Sequence, residues 1–142
     1  MTAWKALERT VAKKVGGKRK IDRGSNFMIS DFDVEIPDRP HLKIDAKYSS
    51  KPWAHHKLIE KGSLTVFDLP DERYVGFWLD NWDNDWVLPY RYARKEKLRA
   101  ATLLEEVARK YCKQPGDVPV LVTKTKGQRG EVVLMREVDL LG

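Results

Sequence analysis

The feature that most constrains this fold is a pair of alternating runs joined by a proline-bounded turn. Ser30-Asp31-Phe32-Asp33-Val34-Glu35-Ile36 comes first, and after Pro37-Asp38-Arg39-Pro40-His41 the chain continues as Leu42-Lys43-Ile44-Asp45-Ala46-Lys47-Tyr48. Apolar and charged residues alternate in both, so each reads as a β-strand with one apolar and one charged face, and together they read as a hairpin. Asp45 and Lys47, two apart, share a face. The register that sets Val34 beside Ile44 and Phe32 beside Ala46 keeps every apolar side chain on one side, and it sets Asp33 opposite Asp45. Facing Cβ atoms lie roughly 5 Å apart, where two like charges are unfavourable unless a proton or a cation lies between them. Such a pair invites a divalent metal. Asp31 falls on the same charged face and is a rival to Asp33, although the facing register favours Asp33.

Upstream, Trp4, Leu7, Val11 and Val15 recur at helical spacing, which predicts a helix over about Ala3 to Val15 ended by Gly16-Gly17. Glu8 falls within that apolar stripe. A carboxylate aimed at a core is costly when unpaired, so Glu8 either meets a basic residue or reaches a metal or polar cleft. Between helix and hairpin, Lys18 to about Ile29 reads as a basic, glycine-containing loop and as the natural phosphate-facing element.

Beyond the hairpin, Leu64 to Leu69, Arg73 to Leu79 and Trp86 to Tyr92 read as extended segments, with turns at Leu69-Pro70-Asp71 and over Asp80 to Asp85. A helix is predicted from near Lys95 or Thr102 to Lys113, with Thr102-Leu103-Leu104-Glu105 as a capping box and Gln114-Pro115-Gly116-Asp117 as its stop. Val118 to Thr123 is almost continuously apolar, the pattern of a strand covered on both faces, and Glu131 to Arg136 is a further strand. This order gives a mixed α/β domain, a central β-sheet flanked by helices. With 142 residues and no linker-like break, one domain is expected, carrying an aromatic-rich insert at about 51–94. The tryptophans of that insert read mainly as core or interface. His55-His56 read as surface or DNA-facing residues rather than ligands, and Asp80 to Asp85 as a hairpin turn rather than a calcium loop, since the glycine and distal glutamate of such a loop are missing.

The chain carries 27 Lys and Arg against 21 Asp and Glu, a formal charge of +6, which favours a polyanionic partner. The excess concentrates in two stretches: Lys13-Lys14, Lys18-Arg19-Lys20 and Arg23, then Arg91, Arg94, Lys95, Lys97 and Arg99. Two basic stretches flanking a carboxylate site point to nucleic acid. A single cysteine, Cys112, excludes an internal disulfide and fits a reducing compartment. No apolar run approaches a membrane span or a signal-peptide core, so a cytoplasmic protein is expected.

The chemistry of phosphodiester cleavage suits this residue set. Mg²⁺ prefers oxygen ligands and is often held by one or two carboxylates, here Asp33 and Asp45, while Lys47 can orient a water and offset growing phosphate charge. Glu8 could hold a metal-bound water from the helix side. The arrangement resembles the PD-(D/E)XK nuclease superfamily and, within it, the archaeal-type Holliday junction resolvases. The resemblance covers residues 3–50, on Glu8-Arg9, Arg23-Gly24-Ser25, Asp33-Val34 and Asp45-Ala46-Lys47. It returns from about Leu103 to Leu141, on a helix followed by Val118-Pro119-Val120-Leu121-Val122. Phe32 stands where the superfamily name has proline, and Asp45 where these resolvases usually carry glutamate.

What the resemblance implies is a restriction-endonuclease-like fold and a Mg²⁺- or Mn²⁺-dependent endonuclease, acting as a homodimer that nicks opposed strands of a four-way DNA junction. It also implies Glu8, Asp33, Asp45 and Lys47 as catalytic residues, with Asp33, Asp45, Ala46 and Glu8 around the metal. Arg9 and Arg23 would serve the phosphates, assisted by a loop serine, Ser25 or Ser30; apart from the resemblance, the basic loop itself offers Lys18, Arg19 and Lys20 as DNA-facing residues.

Overall fold

A computed structural model describes residues 2–20, 32–83 and 88–140. Its elements in chain order are α1 (Ala3–Val15), β1 (Lys18–Arg19), β2 (Val34–Ile36), β3 (Arg39–Ser49), β4 (Leu64–Asp68), β5 (Arg73–Trp78), β6 (Tyr90–Arg94), α2 (Arg99–Tyr111), β7 (Val118–Thr125), β8 (Val132–Arg136) and the single turn α3 (Glu137–Leu140). All eight strands form one mixed sheet in the order β1-β2-β3-β7-β8-β5-β4-β6. The expected central sheet with flanking helices is therefore present, and the 51–94 segment extends that same sheet with β4, β5 and β6.

The period-two pattern sorts the strands into two cores. Ile44, Ala46, Val120, Val122, Val133 and Met135 pack with Leu7, Val11 and Val15 of α1. Their alternates Leu121, Val132 and Leu134 pack with Ala101, Leu104 and Val107 of α2. Each helix thus covers one face. This is why β7 reads as a continuous apolar run, since both its faces are buried. Gly16 at φ 72° closes α1 as a left-handed cap, its N–H bonded back to Lys13. Gly17 then lies so close to the Glu35 carbonyl that a Cβ would collide with it. That contact brings β1 alongside β2.

Several expectations change. Trp4 is 49 % exposed, because the stripe of α1 turns inward only at Leu7. The hairpin turn is the two residues Pro37–Asp38, and β3 already begins at Arg39; a bulge between Val34 and Ile36 absorbs the difference. The capping box is unused. Helix α2 starts at Arg99, after Leu98, which leaves Thr102 inside its first turns. Of the third extended segment, Trp86 and Val87 lie outside the described residues; its strand β6 spans Tyr90–Arg94 and pairs in parallel with β4 rather than with β5. The link after β5 is therefore a crossover whose first residues, Leu79–Asn81, form a 3₁₀ turn, and not a hairpin. Among the described residues no helix is long and apolar enough to cross a membrane.

Candidate active site

Strand β3 is the foundation of the site. It lies inside the sheet, antiparallel to β2 and parallel to β7, with Asp45 beside Leu121 and Lys47 beside Thr123. Because Ile44 and Ala46 face α1, Lys43, Asp45 and Lys47 project toward the α2 face. The register Val34 to Ile44 occurs as expected. Beyond it regular pairing stops: the Asp33 N–H donates to the Ile44 carbonyl at 2.9 Å, and the Asp33 carbonyl accepts from the Lys20 N–H at 2.8 Å. With the ladder ended, the Ala46 N–H finds the Asp33 carboxylate instead, at 2.8 Å.

The Asp33 carboxyl also lies within interaction range of the Asp45 carboxyl. Asp45 is only 5 % exposed. Burial, then the hydrogen bond and charge of Asp45, push the Asp33 carboxyl up to about 8; the Ala46 N–H pulls the other way, and the more distant charge of Glu8 adds to the rise. The environment of Asp33 therefore favours its protonated form. Lys47 completes the group, its Nζ 3.2 Å from Asp45 Oδ2, half-exposed. Partial burial works to lower its pKa, yet the charge and hydrogen bond of Asp45, and then the charge of Asp33, hold it above the usual lysine value. Lys47 is an ammonium at any physiological pH.

Glu8 is buried as its stripe position requires, and its Oε1 accepts from Arg19 Nε at 2.7 Å. Of the open alternatives for Glu8, the basic partner is the one seen. It belongs to the helix on the opposite face of the sheet from Asp45, and its charge reaches Asp33 where β2 has ended. Among the described residues no three His, Cys, Asp or Glu side chains gather as a ready-made metal cage. Among the described residues two carboxylates come together, a number that suits Mg²⁺. A pair of acids that must share a proton is also a pair that exchanges it readily for a cation, so the donor set fits such an ion. Ala46 is buried; with its N–H committed to Asp33, only its carbonyl is left to serve a metal.

The basic residues separate. Lys18 is exposed on β1 opposite Glu35, and Arg9 is exposed on α1. Arg19 is engaged with Glu8, and Lys20 Nζ lies 4.4 Å from the Phe32 ring centroid. Arg23, Ser25, Ser30 and Asp31 lie outside the described residues. The second basic stretch does not flank the acids as a unit. Arg91 and Arg94 sit on β6, the far edge of the sheet, paired with Glu60 and Asp68, while Arg99 at the start of α2 stacks on Trp53.

Two readings fail here, the first because buried polar groups found partners and the second because the strand ladder breaks. His55 and His56 are 1 % and 5 % exposed, not surface residues, and their Nε2 atoms reach the same Thr123 hydroxyl at 2.9 and 2.7 Å. A 3₁₀ turn over Ala54–Leu58 lets these neighbours converge where a strand would have splayed them. Burial, helped by His56, drops the His55 imidazole to about 3, and burial lowers His56 as well. Phe32 departs from the Val34 face and packs edge-on against Tyr111 of α2, 6.0 Å between centroids. No signal in the alternating pattern marks that departure, because it comes from the break in the ladder at Asp33. Comparison with protein-family models, with curated proteins and with solved structures found no match to this chain.

Proposed function

We propose that this protein is a metal-dependent endodeoxyribonuclease of the PD-(D/E)XK kind, a Holliday junction resolvase that works as a homodimer on four-way DNA junctions. The observation that carries the nuclease reading is the facing of Asp33 and Asp45 on one side of β3 with the Lys47 ammonium 3.2 Å from Asp45. The choice of a junction among DNA substrates rests on the resemblance of Glu8-Arg9, Asp33-Val34 and Asp45-Ala46-Lys47 to the resolvase pattern.

Asp33 and Asp45 would hold Mg²⁺ or Mn²⁺, with the Ala46 carbonyl beside them. Such an ion, when bound, supplies Lewis-acid polarisation of the scissile phosphate and a lowered pKa for its water. The chain's own residues do the rest. Asp33 must give up its proton before both carboxylates can serve as anionic ligands, and the Ala46 N–H steadies the charge that remains. Lys47, held protonated by Asp45, does not act as the base; it orients the attacking water through its N–H groups and offsets charge growing on the phosphate. Glu8 and Arg19 form a fixed pair behind the acids and act as positioning residues.

The test offers labelled four-way junctions, forks and linear duplex with Mg²⁺ and then with EDTA. Paired symmetric nicks in the junction, abolished by EDTA, are the expected outcome. Equal cutting of linear duplex would leave a nuclease but sink the resolvase assignment, and no cutting at all would favour a non-catalytic DNA-binding module. Asp33→Asn and Lys47→Ala should each reduce cleavage by at least about a hundredfold, the scale of losing a charge-stabilising group. Junction affinity should change little. Equal loss of binding and cleavage would make these residues affinity determinants instead.

A further inference from the structure

Phe32 carries two lysines. Lys20 Nζ lies 4.4 Å and Lys43 Nζ 4.8 Å from its ring centroid, one arriving from the end of β1 and the other from β3. Two ammonium groups drawn to one neutral ring repel each other, and the attraction of the ring for each offsets that repulsion only in part. Lys20 Nζ is also 3.8 Å from a Glu35 oxygen, and Lys43 Nζ donates to the Pro40 carbonyl at 2.9 Å. Phe32, itself 7 % exposed and fixed by Tyr111, serves as the post that holds both cations in place.

The position of this post gives it meaning. Lys43, Asp45 and Lys47 are successive residues of one face of β3, and two residues of strand span roughly 6.8 Å. That spacing is comparable with the step from one phosphate to the next along a nucleic-acid strand. We infer that Lys43 and Lys20, held on Phe32, form a phosphate subsite that binds the DNA phosphodiester adjacent to the one placed over Asp33 and Asp45. The inference rests on the nuclease reading for the strand's path, but it assigns a new site and a new residue, Lys43. It accounts for the burial of an aromatic ring under two cations on the charged side of the hairpin, which the metal chemistry alone does not use. A strand laid along β3 would then meet cation, acid pair and cation in order, and its scissile phosphate would be fixed from both sides.

The experiment measures binding of a labelled four-way junction and of a linear duplex in EDTA over a series of salt concentrations. Lys43→Met keeps the aliphatic stem over Phe32 and removes the charge; Lys43→Arg keeps the charge. Lys61→Met, another lysine over an aromatic ring, Trp78, serves as the control. Neutralising one phosphate contact should weaken binding several-fold on both DNAs and reduce the slope of log K against log salt by about one. Lys43→Arg and Lys61→Met should leave that slope intact. In the cleavage assay Lys43→Met should raise KM and spare kcat. An unchanged slope in Lys43→Met, with thermal unfolding like the parent's, would overturn the subsite, as would an equal change in Lys61→Met. The two readings fail separately: a protein that never cuts DNA but shows the slope change loses the nuclease and keeps the subsite.

Discussion

At the scale of single residues, Asp33 has the most direct consequence for solution behaviour. Its carboxyl is raised by burial and by Asp45 to about 8, against roughly 3.9 in an unfolded chain. The folded state therefore binds a proton that the unfolded state releases between those values, and stability must fall as pH climbs through the window. Below about pH 4 the contribution is complete; above about 8 it is gone, and two buried charges face each other. In EDTA, the parent should lose on the order of a few kcal/mol between pH 5 and pH 8 relative to Asp33→Asn. An asparagine can accept from Ala46 and donate to Asp45 at every pH, so its own profile should be flat. Denaturant midpoints at the two pH values decide it; parallel profiles would mean that Asp33 does not carry the shared proton. Mg²⁺ at pH 8 should restore the parent and not the variant. Much of this was legible in the alternation of the hairpin, which implies that the two acids face each other. The face taken by Phe32 was not, because alternation assumes a ladder that here stops at Val34.

At the scale of elements, the connection from β3 to β4 depends on Thr123 of β7, whose hydroxyl receives both His55 and His56. His56 Nδ1 in turn meets Gln128 Oε1 at 2.8 Å, and Trp53 Nε1 donates to the Lys124 carbonyl at 3.1 Å. One hydroxyl thus anchors the 3₁₀ turn to the strand beside Lys47. Thr123→Val keeps the volume and leaves two buried imidazoles without their shared partner, which should cost about 1–3 kcal/mol. A urea midpoint lowered with unchanged slope checks this, and a loss under about half a kcal/mol would show the hydroxyl to be dispensable. Helix α1, the hairpin and β7 could be placed from periodicity since each buries a face of definite period. The histidines misled because their polarity argues for the surface, and the turn that gathers them carries no local signature. The start of α2 was misplaced for a related reason: Thr102 and Glu105 have the spacing of a capping box, yet Glu105 is engaged instead by Tyr74 and Arg136.

At the scale of the whole molecule, the acids and the two lysines beside Phe32 gather toward the β1 end of the sheet, while β6 with Arg91 and Arg94 closes the other end. The described residues of the chain hold one such grouping. If two copies act on opposed strands, then mixing parent with Asp33→Asn and re-equilibrating should give heterodimers that nick a junction on one strand and leave the other whole. Paired cuts from such mixtures, at undiminished yield, would place both cuts in a single chain. The parallel pairing of β3 with β7 has a different kind of consequence. Asp45 rests against Leu121, a partner that emerges only after the entire insert and α2 have been made. Closing so long a loop is slow relative to forming the local hairpin. A chain still on the ribosome therefore owns its acids and its lysines but no scaffold to align them. The face that carries Asp45 and Lys47 is thus completed only when β7 joins the sheet.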